Sequence, residues 1–316
     1  MLQNLNSQSP TVVSDELKPI SFESLEKMKT SLGDLYWKKG NGKLVKLLHS
    51  GDRLDFSKLE KFQKVTKFLY MIDVCDEEFI ASGKRFLQKL VDATSERERL
   101  LFRHQFLDFI SDIYWRGDSD GSILNLITIF KDVFYKISPE FESEMEERAL
   151  SILRRSSLYS TLVTLTALCS GYTHGDFLTD VYNISFFNDF SCARGLSTHD
   201  DSVHVKKSLE EFEHSTFYKL KHKSLSRLIT FHHEDFRGRG KSIGLIFDEL
   251  NKLERISIFI EQSLTYEESG FNSNDGKKFI SDLFEIKDED SFQLKRFKNE
   301  IREEFVEFSQ KEVKAS

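Results

Sequence analysis

The spacing of apolar residues changes near residue 76, and this change divides the chain. Between about residues 34 and 72, short apolar runs flank Gly40-Asn41-Gly42, a strong signal for a β-hairpin. A run with helical spacing follows from about residue 55, and another apolar run from residue 67 indicates a third strand. The order strand, strand, helix, strand predicts a small α+β module over residues 19–75. Residues 1–18 are polar and without period, which predicts a disordered tail.

From residue 76 onward the apolar residues recur with the helical period of 3.6. One predicted helical face consists of Phe79, Phe86, Leu87, Leu90 and Val91. We therefore expect a mostly α fold, in which a small N-terminal α+β module precedes an all-helical bundle. The predicted parts are a helical connector over residues 76–148, a second domain over residues 149–275 and C-terminal helices over residues 276–316. An amphipathic stripe after residue 291 predicts packing on that domain or on a second subunit, so a homodimer is left open.

Composition limits the classes of partner and the compartment. The 316 residues carry a net charge of −7, which argues against bulk attraction to a nucleic-acid polymer or an anionic membrane. Cys75, Cys169 and Cys192 are odd in number and lack C-x-x-C spacing, which favours a reducing compartment. The N-terminus has no basic and apolar signal-peptide pattern, and the most apolar run is too short to span a bilayer. We expect a cytoplasmic protein.

The candidate chemistry centres on residues 231–241, which read Phe-His-His-Glu-Asp-Phe-Arg-Gly-Arg-Gly-Lys. His232 and His233 are suitable ligands for a first-row metal ion. Three cations on glycine hinges suit phosphate oxygens; they are Arg237, Arg239 and Lys241. The simpler interpretation is a polar helix end followed by a basic loop that balances Glu234 and Asp235. The functional interpretation gains weight because seven of the nine histidines lie between residues 174 and 233.

This stretch, together with its surroundings from about residue 158 to 271, resembles an HD-GYP domain. That family is an all-helical branch of the HD phosphohydrolases, and its characterised members cleave cyclic di-GMP with two or three metal ions. His-His-Glu-Asp-Phe-Arg-Gly-Arg-Gly, starting at His232, is similar to the family's HHE-x-x-x-G-x-G. Residues 210–214 are similar to its E-x-x-x-x-H helix, residues 253–261 resemble the helix with the last carboxylate, and residues 184–192 fall where the family has L-L-H-D-x-G-K. Residues 35–70 resemble the small module that often precedes such domains.

The resemblance implies a site as well as an HD-type bundle. The implied metal ligands are Asp189, His214, His232, His233 and Glu261, with Asp189 in the catalytic position. The implied nucleotide contacts are Arg237, Arg239 and Lys241. The expected cofactor is a divalent metal, iron or manganese rather than zinc, with one ion, two ions or none. His199, His204 and His222 have no counterpart in the family pattern and are predicted to lie on the surface.

Several departures from the family pattern concern the chemistry. Tyr159 stands where the family has its first histidine, Asn188 replaces the histidine of the HD pair, and Cys192 replaces the following lysine. The Gly-Tyr-Pro tripeptide is missing, and Glu261 replaces the closing aspartate. A related non-catalytic family, HDOD, also carries a histidine before a His-His pair, but the Gly-Arg-Gly-Lys loop favours HD-GYP.

Two hypotheses follow from this pattern. The favoured one is a degenerate HD-GYP signalling protein that binds metal, and that binds cyclic di-GMP, another cyclic dinucleotide or a protein partner, with little or no turnover. The alternative is a metal-dependent cyclic di-GMP phosphodiesterase that works with a reduced ligand set.

Overall fold

The computed structural model describes residues 17–26, 35–48, 56–72, 76–111, 123–141, 144, 149–198, 203–240, 243–264 and 283–310. The chain divides into two compact units, residues 1–82 and residues 83–316. The finer subdivision of the second unit at residues 148 and 275 stays a prediction.

The first unit contains a four-stranded antiparallel sheet with the strand order β1-β4-β2-β3. Strands β2 (Leu35–Lys38) and β3 (Leu44–Leu48) form the predicted hairpin. Its turn is closed by the Gly42 amide, which donates to the Lys39 carbonyl at 2.8 Å. Gly42 has a φ of 82°, a left-handed conformation that favours glycine. The hairpin signal in the sequence is therefore confirmed.

The sheet contains one strand that the sequence pattern did not indicate. Strand β1 (Leu17–Ser21) pairs along its whole length with β4 (Phe68–Ile72). Two residues of the predicted disordered tail, Leu17 and Lys18, thus belong to the sheet, whereas residues 1–16 lie outside the described part of the chain. Two short helices complete this unit, α1 (Phe22–Glu26) and α2 (Phe56–Gln63). The Ser24 amide donates to the Ser21 hydroxyl at 3.1 Å, which caps α1.

The rest of the described chain is helical. The helices are α3 (Asp76–Asp92), α4 (Glu96–Ser111), α5 (Ile123–Phe134), α6 (Leu150–Cys169), α7 (Gly175–Ser185), α8 (Phe190–Ala193), α9 (His204–His214), α10 (Arg227–Phe231), α11 (Lys252–Ser263) and α12 (Phe292–Gln310). Among the described residues after 76, β structure is limited to one isolated bridge between Arg237 and Ile246. The predicted fold class, a small α+β module before a helical bundle, is confirmed.

Helix α6 is the central helix of the second unit. It packs against α5, α7, α8, α11 and α12. Its buried positions include serines and threonines on several faces, some of which bond back to the preceding turn. The Ser157 hydroxyl donates to the Leu153 carbonyl at 3.0 Å, and the Thr161 hydroxyl donates to the Ser157 carbonyl at 2.8 Å. These bonds satisfy hydroxyl groups that have no access to water.

The C-terminal end of α6 is capped by a buried arginine of α4. Arg103 donates from Nε to the Leu168 carbonyl at 2.5 Å and from Nη2 to the Cys169 carbonyl. The last carbonyls of a helix have no partner within the helix, and a cation there also complements the helix dipole. Arg103 therefore fixes α4 against the end of the central helix.

A second buried charge attaches the chain leading to α10. Asp180 of α7 is fully buried and accepts hydrogen bonds from the Tyr218 hydroxyl at 2.5 Å and from the backbone amides of Lys221 and His222 at 3.0 and 2.7 Å. The carboxylate thus holds the segment between α9 and α10 against the bundle. This contact determines where the His-His pair after α10 lies.

None of the helices in the described residues combines the length and the apolar character required to cross a membrane.

Replacing Arg103 by Met removes its two charge-assisted hydrogen bonds to the Leu168 and Cys169 carbonyls. These carbonyls lie at a buried helix end, where water cannot replace the lost donor. We expect a loss of about 2–3 kcal/mol in the free energy of unfolding, measured by urea denaturation followed by circular dichroism. The matched control is Arg97→Met in the same helix, because Arg97 is exposed. Equal effects of the two substitutions would show that the cap contributes nothing.

Candidate metal centre

Four side chains from three parts of the second unit converge on one point. Asp189 immediately precedes α8, His204 is the first residue of α9, and His232 and His233 follow the last residue of α10. Their ligand atoms all lie within 4.8 Å of one another. Asp189, His204 and His232 are buried, and His233 is half-buried. The group can hold a metal ion.

The spacing of the donor atoms fits a single ion. His204 Nε2 lies 2.9 Å from His233 Nε2 and 3.3 Å from His232 Nε2. Asp189 Oδ1 lies 3.8 Å from His204 Nε2 and 4.0 Å from His232 Nε2. With bonds of about 2.1 Å, ligand atoms around one metal are separated by roughly 3.0–4.2 Å, depending on the coordination angle. The His204–His232 distance and the two Asp189 distances lie within that range, and the His204–His233 distance lies just below it.

The hydrogen bonding of His232 leaves its Nε2 available as a ligand. Its Nδ1 lies 2.7 Å from the Ile229 carbonyl, which can only accept, so Nδ1 carries the proton. The unprotonated Nε2 then faces the centre of the group, the tautomer found in metal-ligating histidines. Burial is the main cause that lowers the pKa of His232 to about 3, so this imidazole is neutral at physiological pH.

The other two imidazoles crowd the same point. Only one proton fits between His204 Nε2 and His233 Nε2 at 2.9 Å. If His233 supplies that proton, the lone pair of His204 faces the lone pair of His232. Nitrogen lone pairs that converge in a buried space repel one another, and a cation removes this repulsion. In that tautomer the group favours a bound cation. If His204 Nε2 carries the proton instead, it can donate to His233 and His232, and the repulsion does not arise.

The structure places His214, a predicted site residue, outside the group of converging donors. His214 is exposed at the last position of α9, where its Nδ1 lies 2.6 Å from the Glu210 carbonyl. His204, predicted to lie on the surface, is instead buried at the first position of the same helix. The two histidines are ten residues apart, about 15 Å along a helix. Val205, Ser208 and Phe212 mark the buried face, and His204 shares it while His214 does not.

Glu261 is connected to the group by Arg155, a residue that the sequence analysis did not identify. Its Oε1 accepts a hydrogen bond at 2.5 Å from Nη2 of Arg155, whose Nη1 donates to Asp189 Oδ2 at 2.6 Å. Glu261 is therefore next to the site but is not one of the four residues whose donors converge. Although burial alone would lower the pKa of Arg155, the carboxylates of Glu261 and Asp189 raise it above its usual value. The guanidinium is permanently charged.

The residues that depart from the family pattern offer little to a metal or a phosphate. The Tyr159 hydroxyl lies 2.6 Å from the Ser257 hydroxyl, and burial raises its pKa, so it remains a neutral phenol. Asn188 is buried next to Asp189 along the chain. Burial, followed by the charge of Asp189, raises the pKa of Cys192, so its thiol is protonated at neutral pH. Cys192 thus supplies no positive charge in place of the family's lysine.

The loop after the His-His pair is folded around two carboxylates of its own. The buried Glu234 carboxylate accepts from the amides of Ile243 at 2.6 Å, Gly244 at 3.1 and 3.2 Å and Leu245 at 3.2 Å. Gly240 passes so close that a Cβ there would lie 2.3 Å from Glu234 Cα, which explains the need for glycine.

The predicted phosphate-binding cations lie along this loop. Asp235 accepts from the amides of Arg237 and Arg239 at 2.7 and 2.8 Å, and both arginine side chains are exposed. Lys241 lies outside the described residues. The loop therefore presents two arginines to solvent, while five of its backbone amides already bond to the carboxylates of Glu234 and Asp235.

Acidification should destabilise the metal-free protein through His232. Its folded-state pKa lies far below the usual 6.5, so below about pH 6.5 the unfolded chain takes up a proton that the folded chain refuses. The free energy of unfolding should fall by up to about 1.4 kcal/mol per pH unit from this group. Urea unfolding of chelator-treated protein between pH 7 and 5 measures the slope. His232→Leu should flatten it, and an unchanged slope would contradict the buried neutral imidazole.

In comparisons with known proteins, neither a family model nor a curated protein nor a solved structure matches this chain.

Proposed function

We propose that this chain is a metal-binding signalling protein of HD type, which holds one divalent ion with Asp189, His204, His232 and His233. The observation that carries the proposal is the convergence of three imidazole nitrogens and one carboxylate oxygen on one point. The set differs from the one that the resemblance implied, because His204 takes the place of His214 and Glu261 is not included. The signalling role is supported by the HD-GYP resemblance of the stretch that starts at His232 and of the small module over residues 35–70.

The ligand set suits a first-row transition ion. Imidazole and carboxylate ligands together bind iron, manganese and zinc, and iron or manganese remains our expectation from the resemblance. Three of the four ligands are buried, which keeps competing water away, and the carboxylate of Asp189 supplies a negative charge to attract the ion. A reducing, cytoplasmic compartment is part of the proposal, because the cysteines lack the spacing of a disulfide framework.

We expect little or no phosphodiester cleavage from this centre. The usual lysine is replaced by Cys192, whose thiol is neutral, and the usual histidine of the HD pair by Asn188. Such losses of preorganised charge commonly cost a few kcal/mol each in transition-state stabilisation. A site with one ion also lacks the second metal ion that stabilises the leaving oxygen in two-metal hydrolysis. We therefore expect these residues to bind a ligand without cleaving it.

A cyclic dinucleotide such as cyclic di-GMP, or a protein partner, is the proposed signal. The exposed side chains of Arg237 and Arg239 are the candidate contacts to phosphate, together with Lys241. Because five backbone amides of this loop bond to Glu234 and Asp235, we expect the arginine side chains rather than these amides to provide the recognition. The alternative, a metal-dependent cyclic di-GMP phosphodiesterase, is favoured only by the presence of the metal ligands themselves.

Metal binding is tested by a pair of histidine substitutions on one helix. Elemental analysis after dialysis should find about one equivalent of metal in the wild-type protein and in His214→Ala. His204→Ala should weaken binding by more than roughly 100-fold, because even residues outside the ligand set cost 10–100-fold when lost. Loss of metal in His214→Ala with retention in His204→Ala would reverse the assignment. Absence of metal from every sample, including protein incubated with iron or manganese, would refute the proposal.

Turnover and nucleotide binding are tested with the same metal-loaded protein. We expect no cleavage of cyclic di-GMP above the rate with free metal, because the charges that would hold and activate the phosphate are missing. Any binding should weaken as salt is raised, and by about fivefold in Arg237→Ala or Arg239→Ala, equivalent to about 1 kcal/mol. Robust metal-dependent cleavage that disappears in Asp189→Ala would establish the phosphodiesterase alternative.

A further inference from the structure

The side chain of Arg155 lies between the carboxylates of Asp189 and Glu261. It projects from the central helix α6 and is almost completely buried. Its Nη1 is 2.6 Å from Asp189 Oδ2, and its Nη2 is 2.5 Å from Glu261 Oε1. One planar guanidinium therefore binds two carboxylates that come from distant parts of the chain.

The two carboxylate oxygens of Asp189 point to different places, one to the proposed ion and the other to Arg155. Its Oδ1 faces the imidazoles of His204 and His232 at 3.8 and 4.0 Å, and its Oδ2 accepts from Arg155. A carboxylate that bridges two metal ions uses its oxygens in the same way, one for each ion. The guanidinium of Arg155 lies where the second ion of such a pair would bind. The carboxylate of Glu261, bonded to its other amino group, could serve as a further oxygen ligand for that ion.

Charge balance explains why a cation is needed there. Asp189 and Glu261 are 2% and 5% exposed, and two ionised carboxylates in such a place require compensation. A divalent ion can provide it, and so can a permanently charged guanidinium. The two solutions exclude each other, because Arg155 occupies the oxygens that an ion would need.

We propose that Arg155 is a built-in replacement for a second metal ion, which limits this centre to one ion and leaves Asp189 Oδ2 and Glu261 as a latent second site. The inference rests on the proposed function, since it assumes that the first ion binds between Asp189 and the three histidines. Arg155 is a positioning residue, because it acts on the ion through Asp189. Replacing it by a metal ligand should convert a one-ion centre into a two-ion centre.

The test measures manganese stoichiometry and the electron paramagnetic resonance spectrum of the full chain. Wild-type protein should bind one Mn²⁺ and give the spectrum of an isolated ion. Arg155→His should bind two ions with an exchange-coupled spectrum, because the imidazole joins Asp189 and Glu261 around the second ion. Arg155→Lys, which keeps the positive charge, should bind one ion. Arg155→His combined with Glu261→Gln should return to one ion.

The outcomes separate this inference from the proposed function. Wild-type protein that binds neither manganese nor iron would refute the proposed function and, with it, the inference. Two ions in the wild-type protein, or one ion in folded Arg155→His, would overturn the role of Arg155 and leave metal binding intact.

A second variant covers the case in which Arg155→His does not fold. Glu261→Gln in the otherwise wild-type chain preserves the shape of the side chain and its hydrogen bond to Arg155. Because Glu261 belongs to the Arg155 side of Asp189, the affinity for the single Mn²⁺ should change by less than about twofold. A loss of more than tenfold would make Glu261 a ligand of the first ion and would overturn the latent second site.

Discussion

A guanidinium buried between two carboxylates is the constraint on which the second unit depends. Arg155 of α6 binds Asp189, which precedes α8, and Glu261 of α11, so one side chain connects three elements. Removing one member of such a buried network typically costs about 3–5 kcal/mol, because the remaining charges lose their compensation. The same contacts orient Asp189 so that its other oxygen faces the histidines. Fold and candidate site thus share one electrostatic arrangement.

The surrounding helices make this arrangement rigid. α6 is enclosed by other helices, the hydroxyl groups of Ser157 and Thr161 bond back to its own backbone, and its last carbonyls accept from Arg103. Asp180 then fixes the segment that leads to α10 and so to His232 and His233. Arg103, Arg155 and Asp180 each fix the position of a neighbouring element, and the candidate metal ligands lie on or beside these packed elements.

Local signals made much of the fold predictable. The Gly40-Asn41-Gly42 turn predicted the hairpin, because it requires a left-handed glycine, and the helical period predicted the bundle. Strand β1 was not predicted because Leu17–Ser21 is short and contains Pro19. It is ordered by its pairing with β4, some 50 residues later in the chain. Pairing between distant segments leaves no local pattern in a single sequence.

The site was predictable only in part, for similar reasons. The adjacent histidines and Asp189 were identified, but α9 has a histidine at each end, and the family-like spacing selected the exposed one. The buried face of α9 would have favoured His204. Arg155 gave no signal, since a single arginine in an apolar helix has no visible partner when Asp189 and Glu261 lie 34 and 106 residues away.

The loop folded around Glu234 has a consequence for motion. A glycine-rich segment beside a candidate metal centre suggests a lid that opens and closes within microseconds to milliseconds. Here the amides of Ile243, Gly244 and Leu245 are bonded to a buried carboxylate at the base of the loop. Their release requires exposing that charge, so opening is a local unfolding event, and amide hydrogen exchange there should be slow. The described part of this segment is therefore held at its base by the carboxylate of Glu234.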